Sequence, residues 1–249
     1  MNPGARPTLL LLPGTLCDER LFARQRRALR PMARIEVGNL HTLDEPAAWV
    51  ARLLERMPPR FSVAGFSLGG LLALDILRQA PTRVERLALV ASNARGASLR
   101  GQRCSAQLWR RWRVGGPLGV MEDALPQYFP KRAKRQRHRG LVADMARRTP
   151  GPAAKAQFQW AAARPEGLTV LAGFAGPLCV VSGMRDNLCP HAWQQEIASL
   201  KPRARWTALP RVGQFLPLEA PAPLSRALAQ WLKSPVTPLL EPQPSDPYA

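Results

Sequence analysis

Residues 61–70 read FSVAGFSLGG, and this stretch carries the strongest structural signal in the chain. The apolar run 61–64 is typical of a buried strand, and the sequence from residue 68, LGGLLALDIL, has the apolar spacing of a helix. Between them, Gly65, Ser67 and Gly69 form a G-x-S-x-G pattern, whose small residues allow a sharp turn between strand and helix. The pattern predicts a strained turn with Ser67 at its tip; the alternative is an ordinary glycine-rich turn.

Outward from this turn, short apolar runs alternate with helical stretches. The predicted strands are residues 8–12, 34–37, 61–66, 84–91, 178–182 and 205–209. The predicted helices are residues 18–29, 45–56, 68–79, 191–199 and 222–233. This alternation predicts an α/β fold with a mostly parallel central sheet flanked by helices on both faces.

One interval, residues 96–175, breaks the alternation because it holds helical, Arg-rich and Trp-bearing stretches but no strand of comparable quality. Long insertions of this kind are usually functional. We therefore predict an α/β core in 1–95 and 176–233 and an inserted helical cap in 96–175. The Pro-rich tail 234–249 cannot continue a helix, and we predict that it is extended or disordered.

The chain is strongly basic, with 36 Lys+Arg against 17 Asp+Glu and a formal charge of +19. Such a field attracts anions, acidic proteins or nucleic acid. Nearly all of the charge is arginine, however, and a GC-rich genome produces that bias without any function. The excess is concentrated in 95–148 and no nucleic-acid-binding module accompanies it, so we expect no nucleic-acid partner. An acidic acyl carrier at the basic cap remains a candidate partner.

Targeting, metal and cofactor signals are absent from the sequence. No apolar run approaches the roughly 20 residues of a membrane span, and the run 8–12 lacks the flanks of a signal peptide, so we expect a cytoplasmic protein. No phosphate loop, dinucleotide fingerprint or metal-ligand spacing occurs, so we expect neither cofactor nor metal. Four scattered cysteines are predicted to be free thiols: Cys17, Cys104, Cys179 and Cys189.

Ser67 is the candidate nucleophile, and two backbone groups are candidates for stabilising the oxyanion of an acyl-transfer reaction. One is the N–H of Leu68, which follows the serine. The other lies in the Pro-Gly turn of LLLPGTLCD, residues 10–18, where we choose Thr15. A plain strand-to-helix turn is the alternative for this second segment.

Five segments together resemble the α/β-hydrolase superfamily, in the compact bacterial group that includes carboxylesterases and pimeloyl-acyl-carrier-protein methyl ester esterases. They are LLLLPGTLCDERLF, VAGFSLGG, PTRVERLALV, VVSGMRDNLCP and VGQFLPLEAP, and the similarity runs from about Leu9 to Trp231. The resemblance implies a serine hydrolase of carboxylic esters or thioesters with a small-molecule ester or acyl substrate. It also implies a helical cap after the strand that follows the helix 68–79.

The resemblance also implies a Ser-Asp-His triad, and here the chain departs from it. Asp186, in GMRDNLCP, matches the acid, but the segment that resembles G-H-x-x-x-L-E-x-P has Gln214 in place of histidine. A carboxamide cannot take the serine proton, although Gln214 could still hydrogen-bond both Ser67 and Asp186. Loss of the base from a serine triad typically costs about 10⁶ in turnover.

Three interpretations stay open. The chain is an active or residually active hydrolase, a non-hydrolytic pseudo-enzyme that binds a small molecule or acidic carrier, or a His-to-Gln variant of an active esterase. Another histidine, His41, His138 or His191, is an alternative source of the base, with His41 the first candidate because it follows the second strand.

Aromatic residues in the cap suggest where a substrate binds. We expect neighbouring arginines to be available to an anionic group and six aromatic residues to form apolar walls: Trp109, Trp112, Tyr128, Phe129, Phe158 and Trp160. A solvated helical face with ordinary aromatic packing is the alternative.

Overall fold

The computed structural model describes residues 6–236, and a six-stranded sheet lies at its centre. The strands are β1 (Thr8–Leu12), β2 (Arg34–Val37), β3 (Phe61–Phe66), β4 (Val84–Val90), β5 (Leu178–Gly183) and β6 (Arg205–Leu209). Their order is β2-β1-β3-β4-β5-β6, and each neighbouring pair is parallel. The predicted α/β class with a parallel sheet is confirmed.

Helices cover both faces of the sheet. They are α1 (Ala23–Leu29), α2 (Pro46–Arg56), α3 (Leu68–Gln79), α4 (Leu99–Tyr128), α5 (Arg132–Arg148), α6 (Gly151–Ala163), α7 (Leu168–Gly173), α8 (His191–Ser199), α9 (Leu216–Glu219) and α10 (Pro221–Leu232). No helix among the described residues is long and apolar enough to cross a membrane.

The alternation of side chains along β1 shows how the two faces are filled. Leu9 and Leu11 pack in the core that also contains residues of α1 and α10. Leu10 and Leu12 pack in the core that contains residues of α2, α3 and α8. A strand buried on both faces must be apolar at every position, which explains the unbroken leucine run of β1.

Two of the predicted boundaries that differ from the structure do so for local reasons. The strand predicted at 84–91 ends at Val90, because Ala91 adopts a positive φ of 45° and turns the chain away. The helix predicted at 18–29 is divided into a 3-10 turn, Glu19–Phe22, and α1. Asp18 caps the turn, since its side chain accepts a hydrogen bond from the backbone N–H of Arg20.

Four helices, α4 to α7, lie between β4 and β5 in the chain, and α4 packs against both α5 and α6. Helix α4 is not continuous: Gly116, with φ 61° and ψ −160°, interrupts it just before Pro117. The residues before and after this kink therefore run in different directions and can line two sides of one space. Residues 237–249, most of the predicted tail, lie outside the described residues.

Candidate active site

Ser67 occupies the turn between β3 and α3 in a strained backbone conformation, with φ 52° and ψ −116°. Its N–H donates to the Val90 carbonyl at 3.0 Å, and its own carbonyl accepts from Gly70 N at 2.9 Å and from Ser92 Oγ at 2.8 Å. A non-glycine residue holds such a conformation only when its surroundings impose it, and it then often marks a functional site.

Glycines make this turn possible because there is no room for side chains around it. A Cβ on Gly65 would lie 2.2 Å from the Gly69 carbonyl oxygen, and a Cβ on Gly69 would lie 2.1 Å from the Leu12 carbonyl oxygen. The start of α3 therefore packs directly on the end of β1 and the loop that follows it. The G-x-S-x-G pattern reflects this close backbone packing.

The loop after β1 and the start of α3 supply the two predicted oxyanion donors. Leu68 is the first residue of α3, so its N–H has no acceptor within the helix. Thr15 lies on the other side of Ser67, and the adjacent Gly14 approaches so closely that a Cβ on it would be 3.4 Å from Ser67 Cβ. The next residue, Leu16, has a positive φ of 56°.

A cavity of about 260 Å³ opens above Ser67. Its walls come from the loop after β1, the serine turn, α4, α6 and the loops after β5 and β6. They are formed by Thr15, Leu16, Phe66, Ser67, Cys104, Ser105, Gln107, Leu108, Arg111, Val120, Ala124, Gln127, Tyr128, Phe158, Ala161, Leu188, Gln214 and Phe215. Thr15, Ser67 and Gln214, which are far apart in sequence, thus line one cavity.

Asp186 lies beside this cavity in the loop after β5 and is only 5% exposed. Its Oδ1 accepts hydrogen bonds from the N–H groups of Leu188 and Cys189, both at 2.9 Å, while its Oδ2 has no partner among the described residues. Burial raises the pKa of Asp186 to about 7, and the two backbone hydrogen bonds oppose this rise. Within residues 6–236, no lysine, arginine or histidine forms an ion pair with this carboxyl.

Gln214 follows β6, is 1% exposed and makes bonds other than those expected from the sequence. Its Nε2 donates to the Ala91 carbonyl at 3.0 Å, whereas its Oε1 has no partner in the described part of the chain. Only the NH₂ end of an amide can donate to a carbonyl, so the contact with Ala91 fixes which end is which. Gln214 therefore forms no hydrogen bond that would bridge Ser67 and Asp186. Its Oε1 and the Oδ2 of Asp186 both lack a hydrogen-bond partner among the described residues.

Cys189 is buried next to these two side chains. Its thiol accepts from Asn93 Nδ2 at 3.8 Å and contacts the Gln214 amide, and burial with the nearby Asp186 charge raises the pKa of the thiol to about 12. A thiol with a raised pKa stays neutral and is a weak nucleophile. All four cysteines are free, as predicted.

None of the three histidines, all within the described residues, lines the cavity. His41 lies on a 3-10 turn, Leu40–Thr42. His138 stacks on Phe129 at 5.6 Å between ring centroids, and His191 packs on Trp206 at 4.8 Å. The alternative in which another histidine supplies the base therefore finds no support in this geometry.

Of the six aromatic residues expected to form the walls, Tyr128 and Phe158 line the cavity, whereas Phe129 and the three tryptophans do not. Trp112 packs edge-on against Phe158 at 6.3 Å, behind the wall, and the Lys155 ammonium lies 6.0 Å from the Trp109 ring. Trp160 packs against the core under α3. The tryptophans were therefore a misleading guide, because they pack behind the wall.

Most of the cavity wall that α4 contributes was not predicted from the sequence. Cys104, Leu108 and Arg111 on α4 all line it, and their spacing of i, i+4 and i+7 is that of one helix face. That spacing was a usable signal. Gln127 from the far side of the kink carried no such signal, because its place depends on how α4 bends at Gly116.

Comparison with known proteins identifies the family. A model of the alpha/beta hydrolase family matches residues 9–227. The chain belongs to the alpha/beta hydrolase family. The α/β-hydrolase fold expected from the sequence is thereby confirmed, here with a parallel six-stranded sheet and flanking helices.

Two curated relatives of this alpha/beta hydrolase are named pimeloyl-[acyl-carrier protein] methyl ester esterase. That of Nitrosomonas europaea is 47% identical over 53 residues, which are 21% of this chain and 20% of the relative. That of Vibrio campbellii is 32% identical over 105 residues, 39% of this chain and 41% of the relative. The aligned parts thus span less than half of each relative.

Among solved structures, the enol-lactonase from Burkholderia xenovorans superposes on this alpha/beta hydrolase with a TM-score of 0.82. The two are 20% identical, and the match covers 94% of each chain. At this identity the likeness shows the fold alone.

Proposed function

We propose that this protein is a serine hydrolase of carboxylic esters or thioesters in which Ser67 is the nucleophile and Gln214 occupies the position of the base. One observation carries the proposal: Ser67 is held in a strained conformation at the head of α3, on the wall of a cavity that Gln214 also lines. Family membership supports a hydrolase, and the names of the curated relatives support an esterase.

The first step of the proposed reaction is attack of Ser67 Oγ on the ester carbonyl. The negative charge that develops on the carbonyl oxygen is stabilised by the N–H groups of Leu68 and Thr15, and the positive end of the α3 dipole adds to this effect. These groups are in place before substrate binds, because close packing of Gly65 and Gly69 holds the backbone around Ser67.

The proposed reaction is slow at its proton transfers. The Ser67 proton must leave during attack, and the alcohol or thiol leaving group must gain one, yet a carboxamide is not protonated near neutral pH. The Gln214 amide is moreover bonded to Ala91. An imidazole at this position would take the proton, and Asp186 would orient it and balance its charge.

The four helices α4 to α7 form the proposed cap, which covers Ser67 and restricts the size of the acyl group. The cavity of about 260 Å³ admits a short or medium acyl chain, since its wall mixes apolar residues such as Leu108 and Phe158 with polar ones such as Gln107 and Gln127. The substrate class that follows is a small carboxylic ester or an acyl thioester.

An acidic acyl carrier is the partner that the cap charge favours. Residues 96–175 contain 15 Lys+Arg and 4 Asp+Glu, a net +11 of the +19 in the whole chain. The curated relatives are named for an acyl-carrier substrate, which supports the same partner. Binding of an acidic carrier protein should weaken steeply as salt rises, and salt-independent binding or none, measured by calorimetry, would exclude this partner.

The proposed function is tested by initial rates on short-chain p-nitrophenyl esters. We expect Gln214→His to raise kcat by at least ~10³, because it restores a base beside an intact nucleophile, and Ser67→Ala to abolish the rate in both backgrounds. Gln107→His is the matched control: it places an imidazole on the wall of the same cavity but away from the base position, and should give no gain.

Two outcomes contradict the proposal. Ser67-dependent turnover that histidine at 214 does not improve would show that another base operates and that the proposed triad is misplaced. Absence of Ser67-dependent turnover in the folded Gln214→His variant would show that the cavity binds rather than hydrolyses its ligand.

A further inference from the structure

A fully buried glutamine on α6, Gln157, joins the helical segment to the loop that carries Thr15. Its Oε1 accepts a hydrogen bond from Leu16 N at 2.8 Å, 141 positions earlier in the chain. Its Nε2 donates to the Leu40 carbonyl at 3.0 Å, in the 3-10 turn after β2. One amide thus connects two loops at the carboxyl end of the sheet.

We propose that Gln157 is a positioning residue that holds the loop after β1 in the conformation in which the Thr15 N–H stabilises the oxyanion. This inference rests on the proposed function, because it assigns the loop its role in ester hydrolysis. Gln157 contacts Leu16, the neighbour of Thr15, and acts on the reaction only through the backbone.

The conformation of Leu16 explains why the loop needs such a restraint. With φ 56°, Leu16 lies in the left-handed region, which is unfavourable for a residue with a Cβ. A second contact then has to favour this conformation over an ordinary one. The Leu16 N–H, which is directed by that φ, finds its acceptor in Gln157 and not in the loop itself.

Comparison with the other buried glutamines singles out Gln157. Gln25, Gln194 and Gln214 are equally buried among the described residues, and each has an Oε1 without a partner. Gln157 has both amide atoms bonded, each to backbone. Gln157 thus supplies one donor and one acceptor at once, a pair that an apolar side chain of similar size cannot supply.

A second contact joins the same loop to the helical segment, and it differs in kind. Arg20, just after the loop, pairs with Asp18 at 2.6 Å and also with Asp144 on α5. Arg20 and Asp144 are partly exposed, so salt screens the pair that they form. The buried Gln157 bonds are not screened, and they reach the residue next to Thr15. Gln157 therefore couples the position of α6 to the position of the Thr15 N–H.

The test compares Gln157→Leu with Gln25→Leu, the same substitution at an equally buried glutamine whose Nε2 instead donates to the Pro217 and Pro221 carbonyls. Each is made in the chain as given and in Gln214→His. We expect Gln157→Leu to lower kcat for p-nitrophenyl esters by roughly ten- to a hundred-fold with KM within about two-fold. Amide hydrogen exchange at Leu16 should accelerate. Gln25→Leu should change neither.

Gln157→Glu adds a readout that simple loss of packing would not produce. A buried carboxyl is protonated at low pH, when it can donate to Leu40 and accept from Leu16 as glutamine does, and it loses the donor when it ionises. The kcat of Gln157→Glu relative to the parent should therefore approach one at low pH and fall as pH rises. A ratio that is flat with pH would contradict the proposal.

Exchange and turnover separate failure of this proposal from failure of the proposed function. Unchanged Leu16 exchange in Gln157→Leu, or faster exchange with unchanged kcat, overturns the positioning role while leaving Ser67 catalysis intact. Absence of Ser67-dependent turnover in every variant overturns the proposed function and the catalytic role of Gln157 with it, and the exchange measurement then reports the structural tether alone.

Discussion

The two halves of the candidate site are built by different means. On the nucleophile side, Ser67 is positioned by backbone hydrogen bonds to Val90 and Gly70 and by close packing of glycines, and its carbonyl has two donors. On the acid–base side, Asp186 Oδ2 and Gln214 Oε1 are buried without partners among the described residues. The backbone N–H and carbonyl of Ser67 are thus hydrogen-bonded, whereas the other half leaves two buried acceptors unpaired.

The two halves of the candidate site therefore depend on different features of the chain. The nucleophile side depends on main-chain geometry and on the absence of side chains. The acid–base side depends on the chemistry of single side chains. Burial raises the pKa of the Asp186 carboxyl, because no neighbouring cation among the described residues offsets the cost of its charge.

The largest effect on this comparison should come from Gly69→Ala, which breaks the nucleophile side. The new Cβ would lie 2.1 Å from the Leu12 carbonyl oxygen and 2.6 Å from that of Pro13, and backbone atoms cannot move aside as a side-chain end can. We expect a loss of unfolding free energy on the order of 3–5 kcal/mol, or failure to fold, measured by urea denaturation.

Gly140→Ala is the matched control for this prediction. Gly140 lies inside α5, and no atom of the described residues comes within 4 Å of the position that a Cβ would take. Alanine there should instead stabilise by up to about 1 kcal/mol through helix propensity. A Gly69→Ala variant as stable as the parent would show that α3 can move away from β1, and that the oxyanion donors are not held by this packing.

The sequence predicts the nucleophile side well because its signals are local. Strand, glycine spacing and helix are adjacent in 61–79, and the observed bounds of β3 and α3 match the prediction. The other strands are also found within a residue of their predicted ends. Buried parallel strands are short apolar runs, and such runs are readable one segment at a time.

The remaining features depend on contacts between distant segments. Gln157 forms a hydrogen bond with Leu16, 141 positions earlier in the chain, and neither segment carries a sequence pattern that predicts this contact. The partner of Gln214 is the carbonyl of Ala91, which is exposed to it by a positive φ that no propensity predicts for alanine. The tryptophans were misplaced because hydrophobicity predicts burial and does not say whether a ring faces a cavity or the packing behind it.

A smaller effect should come from Asp186→Asn, which tests the acid–base side. The pKa of Asp186 is about 7 in the folded protein against ~3.9 in an unfolded chain, so the folded state holds this proton more tightly. The stabilising contribution of the neutral acid is therefore present below about pH 4 and is lost as pH rises through about 7. Asp186→Asn should leave the free energy of unfolding nearly unchanged at about pH 4 and raise it by on the order of 2–4 kcal/mol at about pH 8, measured by urea denaturation.

Asp75→Asn is the control for this last substitution, because Asp75 is equally buried but has Arg78 at 2.7 Å, so losing its charge should destabilise. A gain in the free energy of unfolding for Asp186→Asn that does not grow between about pH 4 and about pH 8 would contradict a buried, uncompensated charge.

The same substitution has a second use in the Gln214→His variant, where Asp186 gains an imidazole to orient. There, Asp186→Asn should lower turnover by up to ~10⁴. If Asp186→Asn stabilises the chain with Gln214 and inactivates the Gln214→His variant, Asp186 is still able to act as the catalytic acid. Only its partner at residue 214 would then differ from that of a complete triad.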